Sequence, residues 1–204
     1  MTSEAIRDPL ADPLITPQNS ALVLVDYQPE QIATVRSMDH DLLIKNAVST
    51  VRAAKAFDVP IVHSTVNVAS GQVKPTIDEL ATLLEDDPPL DRTTVNSWED
   101  TEFVEAVRAT GRQKLIFAAL WTEVCMAFAA LDALREGFEV YPVVDAIGGT
   151  SPEAHRAGLE RVVQAGGQPI SWVSFACELQ RDWARVETVP AMVEITLTDR
   201  LLAE

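Results

Sequence analysis

The five consecutive apolar residues Ala21-Leu22-Val23-Leu24-Val25, closed by Asp26, constrain the fold of this chain more than any other feature. A strand with one wet face alternates apolar and polar side chains. An unbroken apolar run of strand length is instead buried on both faces, as in a parallel sheet covered by helices on either side. Further strands are read at 60–65, 114–120, 138–144 and 168–173, and helical spacing is read at 42–57, 76–85, 100–110, 122–136, 152–165 and 175–184. Strand and helix alternating through short connections predict an α/β fold of three layers, a mostly parallel sheet flanked by helices on both faces.

A chain of 204 residues suits one such domain, here 20–184. Pro9, Pro13 and Pro17 forbid a continuous helix before it, so 1–19 is expected to be an extended arm. Residues 185–204 form a C-terminal extension, expected to pack on the domain or on a neighbouring subunit. Its Val189, Met192, Val193, Ile195, Leu197, Leu201 and Leu202 offer apolar surface beyond one domain's needs, so a homo-oligomer is expected.

Sixteen Lys and Arg against 31 Asp and Glu give a net charge of −15. That sign repels phosphate backbones and anionic lipid, and so speaks against nucleic-acid and membrane partners. No apolar run approaches the ~20 residues needed to cross a bilayer. The first residues lack the basic start and apolar stretch of a signal peptide. Two cysteines, Cys125 and Cys177, cannot build a disulfide framework, so a cytoplasmic location is expected.

In an open parallel sheet, ligands gather where the strands end at their carboxyl edge. The residues there are Asp26, the Ser64-Thr65 pair, the Arg92 region, Trp121-Thr122 and Asp145. Cys125 falls in the first helical turn after a buried strand. Free amide N–H groups and the helix dipole lower a thiol pKa at such a place, which makes Cys125 a candidate thiolate. The alternative for it is a small buried hydrophobe. Asp26 is costly to bury alone and calls for a cationic or proton-donating partner, or else caps a helix from a loop. Cys177, amid Phe175, Ala176 and Leu179, reads as buried packing.

Four segments in register resemble the isochorismatase-like cysteine hydrolases. They are Val23-Leu24-Val25-Asp26-Tyr27-Gln28, Asp91 to Trp98, Thr122-Glu123-Val124-Cys125, and Gly137-Phe138-Glu139-Val140 with Asp145-Ala146. The run Cys177-Glu178-Leu179-Gln180-Arg181-Asp182-Trp183 looks like the YcaC-like branch of that superfamily. The resemblance implies a triad in which Asp26 is the acid/base and Cys125 the nucleophile attacking an amide or related C–N centre of a small molecule. The family's lysine is replaced here by Arg92, six residues before Trp98. Arginine keeps its charge and cannot pass a proton as a lysine can, so its expected work is electrostatic, the alternative being a planar fork that holds Asp26 or a substrate carboxylate by two parallel hydrogen bonds.

The resemblance also implies a non-proline cis peptide before the motif threonine, expected at Trp121–Thr122. Backbone donors near Trp121, Thr122 and Cys125 would then hold an oxyanion. Trp98 and Trp121 are expected to wall the substrate site, and Gln28 and Asn96 to donate to a substrate carbonyl. The chemistry needs no cofactor. The nicotinamidases among the relatives bind a metal through an Asp and two His after the second strand. His63, His40 and His155 are scattered here, so no metal is expected. Two other functions stay open on the same residues: a catalytically weak oligomeric binding protein, which Arg92 allows, and a redox-sensing thiol protein.

Overall fold

The computed structural model describes residues 7–198. Five strands form one sheet in the order β3-β2-β1-β4-β5, and all neighbours are parallel. They are β1 (Ser20–Val25), β2 (Ile61–Val66), β3 (Leu90–Arg92), β4 (Lys114–Ala119) and β5 (Glu139–Pro142). The apolar run of β1 is fully buried and occupies the centre, with Val23 beside Val62 on one side and Phe117 on the other.

Because side chains alternate along a strand, β1 feeds two cores at once. Leu22 and Leu24 join Ile116, Ala118 and Leu43 on one face, while Ala21, Val23 and Val25 join Phe117, Phe103 and Cys125 on the other. The first face is covered by α2 (His40–Ala56), α3 (Asp78–Ala81), α7 (Trp172–Gln180) and α8 (Val189–Val193). The second is covered by α4 (Thr101–Ala109), α5 (Ala127–Arg135) and α6 (Pro152–Gln164). The helices start where polar side chains can accept their first N–H groups: Asp39 from Leu42, Asp100 from Phe103, Ser151 from Ala154 and Ser171 from Ser174.

Several expected elements change in extent. The stretch 168–173 lies beside β5, with the Gln168 and Ile170 N–H groups donating to Val140 and Pro142 carbonyls, but only the Val143–Ile170 bridge is regular. Pro169 has no N–H to donate, and Ser171 already caps α7, so no strand develops. The helix expected at 122–136 is divided into a π-helical turn, Thr122–Met126, and α5. The short α1 (Pro29–Thr34) and the three-residue β3 have too little periodicity to be read in advance. Cys177 is exposed rather than buried, because it lies on the outer face of α7.

The described parts of both flanking segments are fastened to the domain. The arm is clasped by α7: Glu178 accepts from the Ile15 N–H, and the Arg181 guanidinium donates to the Ile15 carbonyl and pairs with Asp12. In the extension, Met192 and Ile195 are buried, whereas Val193 is exposed. Leu201 and Leu202 lie outside the described residues.

On β2, His63 is 4% exposed, sharing hydrogen bonds with the Thr76 hydroxyl at 2.7 Å and the Asp87 carbonyl at 3.2 Å. Burial lowers its pKa below the ordinary histidine value, against the opposing pull of Asp87 and Asp26. The unfolded chain therefore binds a proton below pH ~6.5 that the folded chain refuses. Stability is expected to fall as pH drops through that value, by up to about 1.4 kcal/mol per pH unit. Melting curves at pH 7.5, 6.5 and 5.5 check this: the decline should shrink in His63→Gln, and an equal decline in both proteins would remove His63 as its cause.

Candidate active site

Three strand ends bring Asp26, Arg92 and Cys125 together. Asp26 follows β1 directly and takes φ of 62°, a left-handed conformation tolerated by aspartate better than by most residues. That turn puts a fully buried carboxylate beside the end of β3. Arg92 closes β3, is 3% exposed and meets Asp26 with two parallel bonds, Nη1 to Oδ1 at 2.7 Å and Nη2 to Oδ2 at 2.8 Å. Its Nη1 also donates to the Thr65 carbonyl at 3.0 Å and reaches Ser64 Oγ at 3.3 Å. Cys125 is 7% exposed and within hydrogen-bonding reach of both Asp26 and Arg92.

The two parallel bonds are the fork arrangement weighed as the alternative for Arg92. A guanidinium presents two N–H groups in one plane to two carboxylate oxygens, which an ammonium cannot do. Burial opposes the Arg92 charge, but the Asp26 hydrogen bonds and charge outweigh it and hold the guanidinium above its ordinary pKa.

The thiol differs from the sequence expectation. Burial first, then the charge and hydrogen bond of Asp26, push the Cys125 pKa up, and the opposing pull of Arg92 and of the Trp121 backbone N–H does not compensate. The helix-terminus argument considered only local backbone, whereas the dominant influences are the closed core and a carboxylate 99 positions away in sequence. Cys125 rests as a thiol beside a base.

The cis peptide is at Leu120–Trp121, one bond earlier than expected. Leu120 still bonds the sheet through its N–H to the Val25 carbonyl, and the Thr122 N–H donates to Gly148. With that N–H occupied, Thr122 drops out of the donors expected for an oxyanion. The Trp121 N–H, which reaches the Cys125 sulfur, stays beside the nucleophile.

The residues expected to bind substrate separate into two groups. Gln28 is fully buried with both ends engaged: its Nε2 donates to the Val66 and Lys74 carbonyls, and its Oε1 accepts from the Val66 N–H. It staples the loop after β2 to the segment after Asp26. Asn96 accepts from the Trp98 N–H and donates to Asp132 at 2.8 Å. Gln28 thus has both amide N–H groups engaged, whereas Asn96 spends one N–H on Asp132 and keeps its second.

Trp98 packs edge-on against Phe103 and Phe138 in the core that also holds Cys125, and its Nε1 donates to Glu136. Trp121 is half-buried, its indole N–H shared between the Gln31 carbonyl and Thr34 Oγ1 of α1. Trp121 thus borders the nucleophile turn, while Trp98 shares the apolar core that holds Cys125. Among the described residues, no group of three or more His, Cys, Asp or Glu side chains is placed to hold a metal ion.

Sequence reasoning missed the support behind the nucleophile turn. Gly158 of α6 lies where a methyl group would meet Glu123 Cα at 2.6 Å, Glu123 N at 2.9 Å and the Thr122 carbonyl at 3.0 Å. Gly158→Ala gains about 1 kcal/mol of helix propensity, yet it presses on backbone that cannot swing away. It is expected to destabilise by a net ~1–3 kcal/mol. Urea unfolding checks this, and an unchanged midpoint would show that α6 can retreat without penalty.

The chain is similar in sequence and fold to known proteins. The isochorismatase domain family matches residues 20–174. The chain is 38% identical over 166 residues to the probable hydrolase YcaC of Escherichia coli, covering 81% of this chain and 79% of that protein. The crystal structure of E. coli YcaC, described as an octameric hydrolase of unknown specificity, superposes with a TM-score of 0.86 at 33% identity, covering 94% of this chain and 95% of that one. YcaC from Pseudomonas aeruginosa, solved with hexane-2,5-diol and covalent acrylamide, gives the same TM-score of 0.86 at 32% identity, covering 94% and 95% of the two chains.

Proposed function

The chain belongs to the isochorismatase family and is a hydrolase of that family, and from that premise we propose that it cleaves an amide or related C–N bond of a small molecule through a thioester on Cys125. The observation that supports this most is the meeting of Asp26, Arg92 and Cys125, each carried by a different strand end, in a buried cluster. A carboxylate held in a fork beside a protonated thiol is a base poised for one proton.

In the first step, Asp26 takes the thiol proton as the sulfur adds to the substrate carbonyl, and the new oxyanion is met by the Trp121 N–H. The C–N bond then breaks, and the acid form of Asp26 returns the proton to the departing amine. Water completes the cycle: Asp26 accepts its proton, the hydroxyl adds to the thioester, and the released thiolate recovers the proton as the carboxylic acid leaves. Arg92 keeps its charge throughout, fixing Asp26 and offsetting the negative charge that develops on sulfur. No cofactor enters these steps.

The raised thiol pKa together with the arginine in the lysine position favours a second reading, in which the site binds its ligand and turns over weakly. A panel of small amides separates the two. Turnover lost on Cys125→Ala supports the hydrolase, while binding without turnover across the panel supports the second reading.

The assembly is read as a homo-oligomer, because exposed Leu10, Trp183 and Val186 offer apolar surface and E. coli YcaC is octameric. Light scattering on the purified chain tests this, and a monomer at micromolar concentration would refute it. Two unpaired cysteines fit a reducing cytoplasm, and no helix among the described residues is long and apolar enough to cross a membrane.

A further inference from the structure

Behind the nucleophile turn lies a polar contact that the chemistry above does not use. His155, half-buried in the first turns of α6, shares a hydrogen bond of 2.8 Å between its Nδ1 and Thr122 Oγ1. Thr122 is fully buried and opens the turn that carries Cys125 three residues later, next to Trp121, whose N–H reaches the sulfur. The same turn is fastened again through Glu123, whose Oε1 accepts from the Thr150 N–H at 3.0 Å and from its hydroxyl at 2.6 Å. Gly158, three residues after His155, brings the α6 backbone against Glu123. The turn is therefore pressed onto α6 at one point and tied by polar side chains on either side of it.

We infer that His155 is a positioning residue for Cys125: by holding the Thr122 hydroxyl it fixes the turn so that the sulfur meets Asp26 and the Trp121 N–H together. The sulfur interacts with both groups, and a misplacement of about 1 Å costs up to ~100-fold in reactions that depend on such alignment. The hydroxyl and the ring nitrogen serve in either tautomer, so what the site requires at position 155 is a polar atom at the place of Nδ1. Asparagine supplies one, and alanine does not.

The inference rests on Cys125 as nucleophile, so its test reads the sulfur directly and does not depend on an identified substrate. The second-order rate of Cys125 alkylation by acrylamide is measured at pH 8, well below the melting temperature of every variant. His155→Ala is expected to slow alkylation about tenfold, and His155→Asn to stay within about threefold of the parent. Thr122→Val removes the same hydrogen bond from the other side and is expected to match His155→Ala. The double variant is expected to be no slower than either single one. Should His155→Ala not fold, Thr122→Val against the parent carries the comparison.

Alkylation as fast as the parent in the variants that lack the bond overturns the inference. So does His155→Asn as slow as His155→Ala, which would reduce the ring to a space-filler, or losses that add in the double variant. Where a hydrolysed amide is available, kcat is expected to fall with KM held within about twofold, and a fall carried by KM instead counts against positioning. Turnover that survives Cys125→Ala would refute the nucleophile reading, while the alkylation rates still decide whether His155 positions the sulfur.

Discussion

Cys125→Ala is expected to lower turnover of a cleaved amide by at least ~1,000-fold, because it removes the sulfur that forms the covalent bond. Its stability should change little, since a buried thiol is replaced by a methyl group beside Val25 and Phe117. Asp26→Asn is expected to lose turnover to a similar degree, but with a different effect on the fold. It leaves the Arg92 guanidinium buried against a neutral amide that offers one acceptor instead of two. Removing one charge of a buried pair costs about 3–5 kcal/mol, so Asp26→Asn should melt well below the parent. Thermal melts and assays on the same samples separate the two causes. Activity retained in Cys125→Ala would end the covalent account.

The second large effect concerns Arg92. Arg92→Ala abandons a fully buried carboxylate and is expected to cost about 3–5 kcal/mol of stability. Arg92→Lys keeps the charge but gives up one of the two parallel bonds and the contact to the Thr65 carbonyl, for a loss of ~1–3 kcal/mol. Both substitutions weaken an influence that lowers the thiol pKa, so alkylation at pH 8 should slow, more in the alanine variant. Urea unfolding and iodoacetamide rates across pH check these expectations. A lysine variant as stable as the parent would restore the view that charge alone is the work of this residue.

The layers of the fold were legible because strand burial writes itself into local composition. Five apolar residues before Asp26 and the run at 114–120 sufficed to place two central strands, and the proposed site lies where they end. The Arg92 region was placed among the strand ends, but its part in a triad was legible only through resemblance, because β3 is three residues long and carries no periodic signal. What the sequence could not show is which polar groups are already spoken for. Gln28 and Asn96 look available in a string of letters. In the fold, the backbone N–H and C=O groups of the neighbouring loops need partners, and these amides supply them.

Longer-range pairs left no mark at all. Thr122 and His155 are 33 residues apart, and Glu123 and Thr150 are 27 apart. The thiol shift failed as a sequence inference for the same reason: the local helix terminus was visible, but burial and the approach of Asp26 were not.

The central claim is that hydrolysis passes through an acyl group on Cys125. Its most direct test is the intact mass of the protein, quenched in acid during the first turnovers of an amide that the panel shows to be cleaved, followed by peptide mapping. The account predicts a mass increase equal to the acyl part of the substrate, carried on the peptide containing Cys125, released by hydroxylamine and absent from Cys125→Ala. Cleavage that proceeds at full rate in Cys125→Ala, or an acyl group mapped to any other residue, would contradict it.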